Sequence, residues 1–136
     1  MYATSLGHER LSLRLPVRPS SVGIGRRAAA QFAEEVTLAD PTPWRVRVAV
    51  SEAISNVVLH AHPDRSGSVP HFLLLAESDP VGCAISIIDE GVGLRSHEDS
   101  PGMGFGLALI ARSCDELNLD TGPQGGTCVR MTFHRS

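Results

Sequence analysis

The chain has 136 residues, a hydrophobic content of 42% and a formal net charge of -3 at pH 7. This balance predicts a soluble protein with one domain, residues 1–136, whose core runs from about residue 9 to residue 134, and it excludes the basic surface of a nucleic-acid-binding protein. No apolar run is long enough to span a membrane, and the first residues lack the apolar core of a signal peptide, so we expect a cytoplasmic protein that does not bind membranes. All 12 basic residues are arginine, which excludes a P-loop lysine and a Schiff-base lysine.

Periodicity and turn signals predict eight secondary-structure elements. Leucines alternate with polar residues between Leu11 and Leu15, as in a half-buried strand. Positions spaced three and four apart mark the apolar stripe of the first helix, which Ser20 or Ser21 would cap: Val22, Gly25, Ala29, Phe32 and Val36. Thr42–Pro43 opens the second helix, whose buried residues are expected to be Val46, Val50, Ala53 and Val57. In chain order the elements are a strand, two helices, two strands, a helix and two strands, at residues 9–16, 20–36, 42–62, 71–78, 81–90, 107–114, 116–120 and 127–133.

This order of elements predicts an α+β fold. We expect a two-layer α/β sandwich in which helices cover one face of a mixed, mostly antiparallel sheet. A tight Asp79–Pro80 turn would join two adjacent strands. The cysteines, Cys83, Cys114 and Cys128, are odd in number, far apart and without zinc-type spacing, so we expect reduced thiols in the core.

The second helix carries polar residues inside an apolar stretch, SEAISNVVLHAH. Glu52, Asn56 and His60 recur every four residues and therefore share one face at the border of the buried stripe. Carboxylate and amide groups are costly in a core unless something satisfies them. The face is therefore either the solvated edge of an amphipathic helix or part of a site.

Two glycine motifs follow. DEGVG, Asp89–Gly93, comes directly after an apolar strand and lets a backbone approach a ligand closely, although DxG also serves as a plain turn. GMGFGLALI, Gly102–Ile110, places alternating glycines before a predicted helix, where free amides and the helix dipole favour an anion. Alone, this second motif could equally be a flexible loop with a helix start.

In this order, ExxxN on a helix, DxGxG and GxGxG together resemble the nucleotide-binding fold of the GHKL ATPase superfamily. SEAISN, DEGVG and GMGFGLAL are most similar to the anti-sigma-factor serine/threonine kinases, a group with a histidine kinase-like ATPase domain. The resemblance covers Leu11 to Phe133. It implies an ATP-dependent protein serine kinase that uses Mg²⁺ with ATP or ADP.

The resemblance also implies roles for residues on the second helix. Glu52 would be the catalytic general base that takes the proton of an attacking hydroxyl, and Asn56 would bind the nucleotide through Mg²⁺ as a metal ligand. His60 would brace a loop or hydrogen-bond near the phosphates.

The remaining implied residues bind the nucleotide. Asp89 would accept a hydrogen bond from the exocyclic amine of adenine, and Thr127 would support that pocket, unless it is a plain strand threonine. The glycines would leave room for the base and ribose or hold the phosphates through backbone amides; they are Gly91, Gly93, Gly102, Gly104 and Gly106.

The segment between the two glycine motifs departs from the family pattern. Only eight residues, Leu94–Pro101, form the expected ATP lid, with Arg95 as its single cation. Lids complete catalytic sites and exclude water, so nucleotide binding is expected with more support than fast phosphotransfer. Arg112, on the following helix, could replace the missing cation or could be a solvated helix residue.

Three function classes therefore stay open. The first is an anti-sigma-factor kinase that regulates transcription by partner switching: it binds ATP and a sigma factor, and phosphorylates a serine of a STAS-type anti-anti-sigma protein. The second is an ATP-binding partner-recognition module with little or no kinase activity, and the third is a detached histidine-kinase catalytic domain. The resemblance also implies a homodimer, paired through the edge of the sheet that carries Leu11, Leu13 and Leu15, unless these leucines only cover the first helix.

Overall fold

The computed structural model describes residues 9–36, 38–61, 69–89, 103–121 and 125–135, without the side chains of 60, 61 and 103–105. Three helices and five strands, the order that the sequence predicted, lie within these residues. They are β1 (Arg10–Pro16), α1 (Ser20–Glu35), α2 (Thr42–Asn56), β2 (His71–Asp79), β3 (Gly82–Asp89), α3 (Met103–Ser113), β4 (Glu116–Thr121) and β5 (Thr127–His134).

The five strands form one sheet in the order β1-β2-β3-β5-β4. Every pairing among the described strands is antiparallel, so the sheet lacks the parallel component that the prediction of a mixed sheet allowed for. Strands adjacent in the chain pair directly, except that β5 inserts between β3 and β4. The predicted α+β two-layer sandwich is therefore confirmed.

A single core lies between the sheet and the helix layer. Along the central strands every second residue faces the helices, including Leu74, Ile85 and Met131, and all three are fully buried. The predicted buried residues of the second helix are also confirmed, since Val46, Val50, Ala53 and Val57 are at most 5% exposed. Burial of this apolar surface is the main favourable term that holds the two layers together.

The helices pack closely because one residue of α1 has no side chain. A Cβ at Gly25 would overlap Cδ1 of Ile54 on α2. This position belongs to the apolar stripe predicted for α1, and it is buried as expected. The absence of a side chain at Gly25 therefore leaves the space that Ile54 of α2 occupies in the core.

Two predicted helix caps are wrong. Pro19 and Pro41 occupy the N-cap positions, and neither helix has a side-chain cap. Ser21 instead lies inside α1, fully buried, and its hydroxyl donates to the main-chain oxygen of Pro16 at 2.6 Å. Thr42 is the first residue of α2. Pro19 already has helical backbone angles, with φ of -56° and ψ of -34°, whereas Pro41, with φ of -91° and ψ of 16°, does not.

The other helix boundaries differ in a way that matters for the site. α2 ends at Asn56 and continues as a π-helical turn, Val57–Ala61, rather than as a regular helix to residue 62. α3 begins at Met103, four residues before the predicted start. Two glycines of the GMGFG motif therefore lie in its first turn, where backbone amides still lack intrahelical acceptors.

The hairpin between β2 and β3 follows the sequence prediction, and so do the buried thiols of Cys83 and Cys114, whereas Cys128 is only half-buried and lies outside the core. Asp79 accepts hydrogen bonds from the main-chain N–H groups of Val81 and Gly82 at 2.8 and 2.9 Å, which fixes the turn. All three cysteines are free, and burial raises the pKa of the Cys83 thiol to about 12. At neutral pH that thiol stays protonated and inert.

Candidate nucleotide site

Asn56 and the first turn of α3 meet at one end of the helix layer. A Cβ at Gly106 would lie 3.0 Å from Oδ1 and 3.2 Å from Nδ2 of Asn56, so the amide group rests against the glycine backbone. Asn56 is only 8% exposed. Its Nδ2 is buried, with no hydrogen-bond partner among the residues that the structure describes.

This orphan amide is the feature that most needs an explanation. A buried donor without an acceptor costs about 1–3 kcal/mol, and native proteins contain few such groups. Asn56 also lies where the first amides of α3 lack acceptors within their own helix. A polar ligand with oxygen atoms at this place would satisfy both sets of donors.

Glu52 lies one turn before Asn56 on α2 and is half-buried. The two side chains therefore project from neighbouring parts of one helix face, as the four-residue spacing predicts. We call Glu52, Asn56 and Gly106 the helix cluster. The backbone of Gly104 belongs to the same first turn of α3.

A second cluster lies at the end of β3. Ile88 pairs with Cys128 in the β3–β5 ladder, so the next residues, Asp89 and Thr127, lie side by side on the core face of the sheet. Both are buried, at 3% and 6% exposure. Gly126 contacts Asp89 so closely that a Cβ would overlap its main-chain oxygen and lie 3.0 Å from its Oδ1. Asp89, Gly126 and Thr127 form what we call the strand cluster.

The other predicted site residues lie outside the described residues, apart from Arg112. Gly91, Gly93 and Gly102 lie outside the described residues, as do the predicted lid, Leu94–Pro101, and the side chain of His60. Their predicted roles stay predictions. Arg112 is exposed on α3.

Arg45 connects the opposite ends of the two site helices. Its Nε donates to the main-chain oxygen of Ser113 at 3.0 Å, and its Nη2 lies 3.4 Å from Oδ1 of Asp115. The pKa of Asp115 is lowered mainly by the main-chain N–H of His134, which donates to its Oδ2 at 2.7 Å; partial burial opposes this effect, and Arg45 lowers the pKa further. Since Arg45 contacts the end of α3 while Asn56 contacts its first turn, the helices run antiparallel.

Gly126 is the residue that the sequence analysis missed. Two glycines precede Thr127 in GGT, and this doublet was the available signal. Only Gly125 has the backbone angle that favours glycine, with φ of 90° and no atom near its missing Cβ. The reason for a glycine at 126 is a contact with a strand far away in sequence, which no local pattern reveals.

The atoms of the helix cluster are of the kinds that phosphate oxygens and Mg²⁺ bind. The described residues contain no group of three or more His, Cys, Asp and Glu residues that could hold a metal ion. An amide oxygen at Asn56 is a ligand type that Mg²⁺ accepts alongside phosphate oxygens and water. The buried Nδ2, which has no partner among the described residues, is a donor and would face a phosphate oxygen, while Oδ1 is the atom that could hold the metal.

Comparison with known proteins identifies the fold and then the family. The crystal structure of the RsbU and RsbW domains of a Mycobacterium tuberculosis protein has a similar fold, with a TM-score of 0.67 and 18% sequence identity. That match covers 93% of this chain and 32% of the solved chain, so this chain spans about a third of its length. The histidine kinase-like ATPase domain family matches residues 15–133, and the chain belongs to this family.

Curated relatives cover nearly the whole chain. It is 28% identical to the anti-sigma F factor of Caldanaerobacter subterraneus, over 90% of this chain and 91% of the relative. It is 25% identical to the anti-sigma F factor of Bacillus subtilis, over 80% of this chain and 83% of the relative. The resemblance to the GHKL superfamily that SEAISN, DEGVG and GMGFG indicated is thereby confirmed.

Proposed function

We propose that this protein is an anti-sigma-factor kinase that uses ATP to phosphorylate a serine of a STAS-type anti-anti-sigma partner. The observation that carries the proposal is the helix cluster. Asn56 is buried at the first turn of α3, its Nδ2 has no hydrogen-bond partner in the described part of the chain, and the acidic Glu52 lies one helical turn away. The match to the kinase-like ATPase family and the similarity to anti-sigma F factors support the same reading.

The two clusters would divide the nucleotide between them. The strand cluster would bind the adenine, because a buried carboxylate at Asp89 can accept a hydrogen bond from the 6-amino group of adenine, where guanine has a carbonyl oxygen that cannot donate. The first-turn amides of α3, including those of Gly104 and Gly106, would donate to phosphate oxygens. Gly91, Gly93 and Gly102 are proposed for the same nucleotide on the family motif alone.

In the reaction Glu52 would take the proton of the serine hydroxyl. The serine oxygen then forms a bond to the γ-phosphorus, the bond between that phosphorus and the β–γ bridging oxygen breaks, and ADP leaves. Asn56 would hold Mg²⁺, which neutralises charge on the phosphates when it is bound. Because little covalent chemistry is asked of the protein, positioning supplies most of the rate.

The proposed partners follow from the same assignment. A sigma factor would bind this protein. The anti-anti-sigma protein would compete with the sigma factor for this protein until the anti-anti-sigma protein is phosphorylated. These partners would place the protein in the cytoplasm. In the described part of the chain, no helix combines the length and apolarity needed to cross a bilayer.

The test is transfer of labelled phosphate from ATP to a purified anti-anti-sigma protein encoded near this gene. We expect label on one serine of the partner, and no label when that serine is replaced by alanine. Label on a histidine of the partner would instead support a detached histidine-kinase domain. Absence of transfer, with ATP and partner both bound, would favour the alternative of an ATP-binding recognition module.

We further propose a homodimer that pairs through β1. This strand is one edge of the sheet, so its outer backbone groups have no strand beside them within the described residues. Leu11, Leu13 and Leu15 are partly buried against the core, which also suits the simpler role of covering α1. Light scattering at tens of micromolar protein distinguishes the two, since a monomer with and without ATP would contradict the dimer.

A further inference from the structure

The contact between Gly126 and Asp89 joins two strands at the base of the proposed adenine pocket. A Cβ at position 126 would overlap the main-chain oxygen of Asp89, lie 2.7 Å from its main-chain carbon and 3.0 Å from Oδ1 of its side chain. The first two neighbours are backbone atoms, which cannot turn away as a flexible side chain can. Any residue other than glycine at 126 must therefore displace the end of β3, the end of β5, or both.

The displaced group would be the one on which base selection depends. Asp89 is 3% exposed, and it lies between Phe72 on β2 and the start of β5. A hydrogen bond to a base requires a donor–acceptor distance of about 2.7–3.2 Å and good alignment. A shift of the strand end by a few tenths of an ångström or more is enough to weaken such a bond at fixed phosphate position.

We propose that Gly126 is a positioning residue for nucleotide specificity: it holds the Asp89 carboxylate where it distinguishes adenine from guanine. This inference rests on the proposed adenine-binding role of Asp89 and assigns a new residue to it. Gly126 would not contact the base itself and would act only through Asp89.

Two other glycines supply matched controls. A Cβ at Gly82 would overlap the main-chain oxygen of Phe133, at the opposite end of the same β3–β5 pair. Gly82→Ala therefore introduces the same kind of backbone clash far from Asp89. Gly125→Asn changes the residue beside Gly126 where nothing lies near the missing Cβ, and asparagine tolerates the left-handed backbone angle better than most residues.

The experiment measures Kd for Mg-ATP and Mg-GTP by calorimetry on the full chain and the three variants. We expect Gly126→Ala to lower the ratio of GTP Kd to ATP Kd by at least about 10-fold, within the range set by loss of one charge-assisted hydrogen bond. The Gly82→Ala and Gly125→Asn proteins should keep the wild-type ratio. Circular dichroism at 10 °C, with trimethylamine N-oxide added to favour the folded state, checks that each variant is folded.

Three results would overturn the inference. In the first, Gly126→Ala folds and keeps the wild-type ratio of GTP Kd to ATP Kd. In the second, Gly82→Ala lowers this ratio as much as Gly126→Ala does, so the lost selectivity would come from general destabilisation. A Gly126→Ala protein that stays unfolded even with the osmolyte would mark the glycine as a requirement of the fold rather than of specificity. Equal wild-type affinity for ATP and GTP is a different failure, because it contradicts the adenine assignment of Asp89 and the role of Gly126 with it.

Discussion

The helix cluster and the strand cluster differ in how completely the protein satisfies its own polar groups. Asn56 in the helix cluster has a buried Nδ2 without a partner among the described residues. Asp89 in the strand cluster lies between two neighbouring strands, and the backbone of Gly126 packs directly against it. The helix cluster therefore contains a donor that a ligand could satisfy, whereas the position of the Asp89 carboxylate in the strand cluster is set before any ligand binds.

This difference suggests a division of work. A site that selects one base needs a rigid acceptor, since binding energy distinguishes ligands only if the wrong ligand leaves that acceptor unsatisfied. A site that binds phosphates and a metal gains affinity from donors and acceptors that stay unsatisfied until the ligand binds. We therefore expect changes in the strand cluster to alter selectivity, and changes in the helix cluster to alter affinity and turnover.

The largest effect is expected at Glu52. Glu52→Gln keeps the size and hydrogen-bonding capacity of the side chain but cannot accept the proton, so phosphotransfer should fall by about 10²- to 10⁴-fold. Affinity for ATP should change little, because Glu52 is proposed to act only on the acceptor hydroxyl. A variant that forms phosphoserine on the partner at the wild-type rate would remove Glu52 as the base.

The next effect tests selectivity. Asp89→Asn replaces an ionised acceptor with a neutral amide, and loss of a charge-assisted hydrogen bond costs about 1.5–3 kcal/mol, or roughly 10- to 150-fold in Kd. We expect ATP affinity to fall by this factor while GTP affinity stays within a few-fold of the wild type. Equal losses for both nucleotides, measured by calorimetry, would contradict a base-selecting role.

Asn56→Ala tests the incomplete cluster. We expect a loss of at least about 10-fold in affinity for Mg-ATP, together with loss of turnover, because the Asn56 side chain is proposed to bind the metal that holds the phosphates. The ligand-free protein should lose less than about 1 kcal/mol of stability, since removing a buried Nδ2 that no described residue satisfies offsets part of the cost of the cavity created. Thermal melts with and without Mg-ATP separate the two effects, and a strongly destabilised ligand-free variant would show that Asn56 is a structural residue.

The smallest effect concerns the far ends of the helices. The folded-state pKa of Asp115 is lowered from its ordinary value of 3.8, so its contribution to stability is full above that value and is lost as the pH falls through the lowered one. Asp115→Asn should therefore flatten the loss of stability below about pH 4. At pH 7 it should cost only about 0.2–1 kcal/mol, the range of partly exposed ion pairs.

Denaturant titrations from pH 2 to pH 7 measure this effect. The control is Glu116→Gln, on the neighbouring residue, whose carboxylate contacts the exposed His134 ring at 3.2 Å. Stability that falls below pH 4 as steeply in Asp115→Asn as in the wild type would contradict the lowered pKa of Asp115, to which the main-chain N–H of His134 contributes most.

The fold was largely predictable because local signals agreed with one another. Alternation of Leu11, Leu13 and Leu15 predicted β1, and the spacing of Val46, Val50 and Ala53 predicted the buried face of α2. The insertion of β5 between β3 and β4 was not predicted, since pairing of distant strands depends on the whole sheet. The start of α3 was placed late because glycine-rich sequence argues against a helix, while in the fold the first turn is stabilised by packing against α2.

The candidate site was predictable only in its motif residues. The four-residue spacing placed Glu52 and Asn56 on one face of α2, and GMGFG brought Gly106 to the same place. The approach of Gly126 to Asp89 and the missing partner of Asn56 Nδ2 could not be read from the sequence. Both depend on contacts between residues more than 30 positions apart, which periodicity does not report.

The measurement that tests the central claim most directly is a calorimetric titration of the wild-type protein with ATP and with GTP, each with and without magnesium. We expect ATP to bind at least about 10-fold more tightly than GTP, and removal of magnesium to lower the affinity for both nucleotides while the preference for ATP persists. Equal affinity for the two nucleotides would contradict the role of the strand cluster. Affinity for ATP that does not change without magnesium would contradict the role of Asn56.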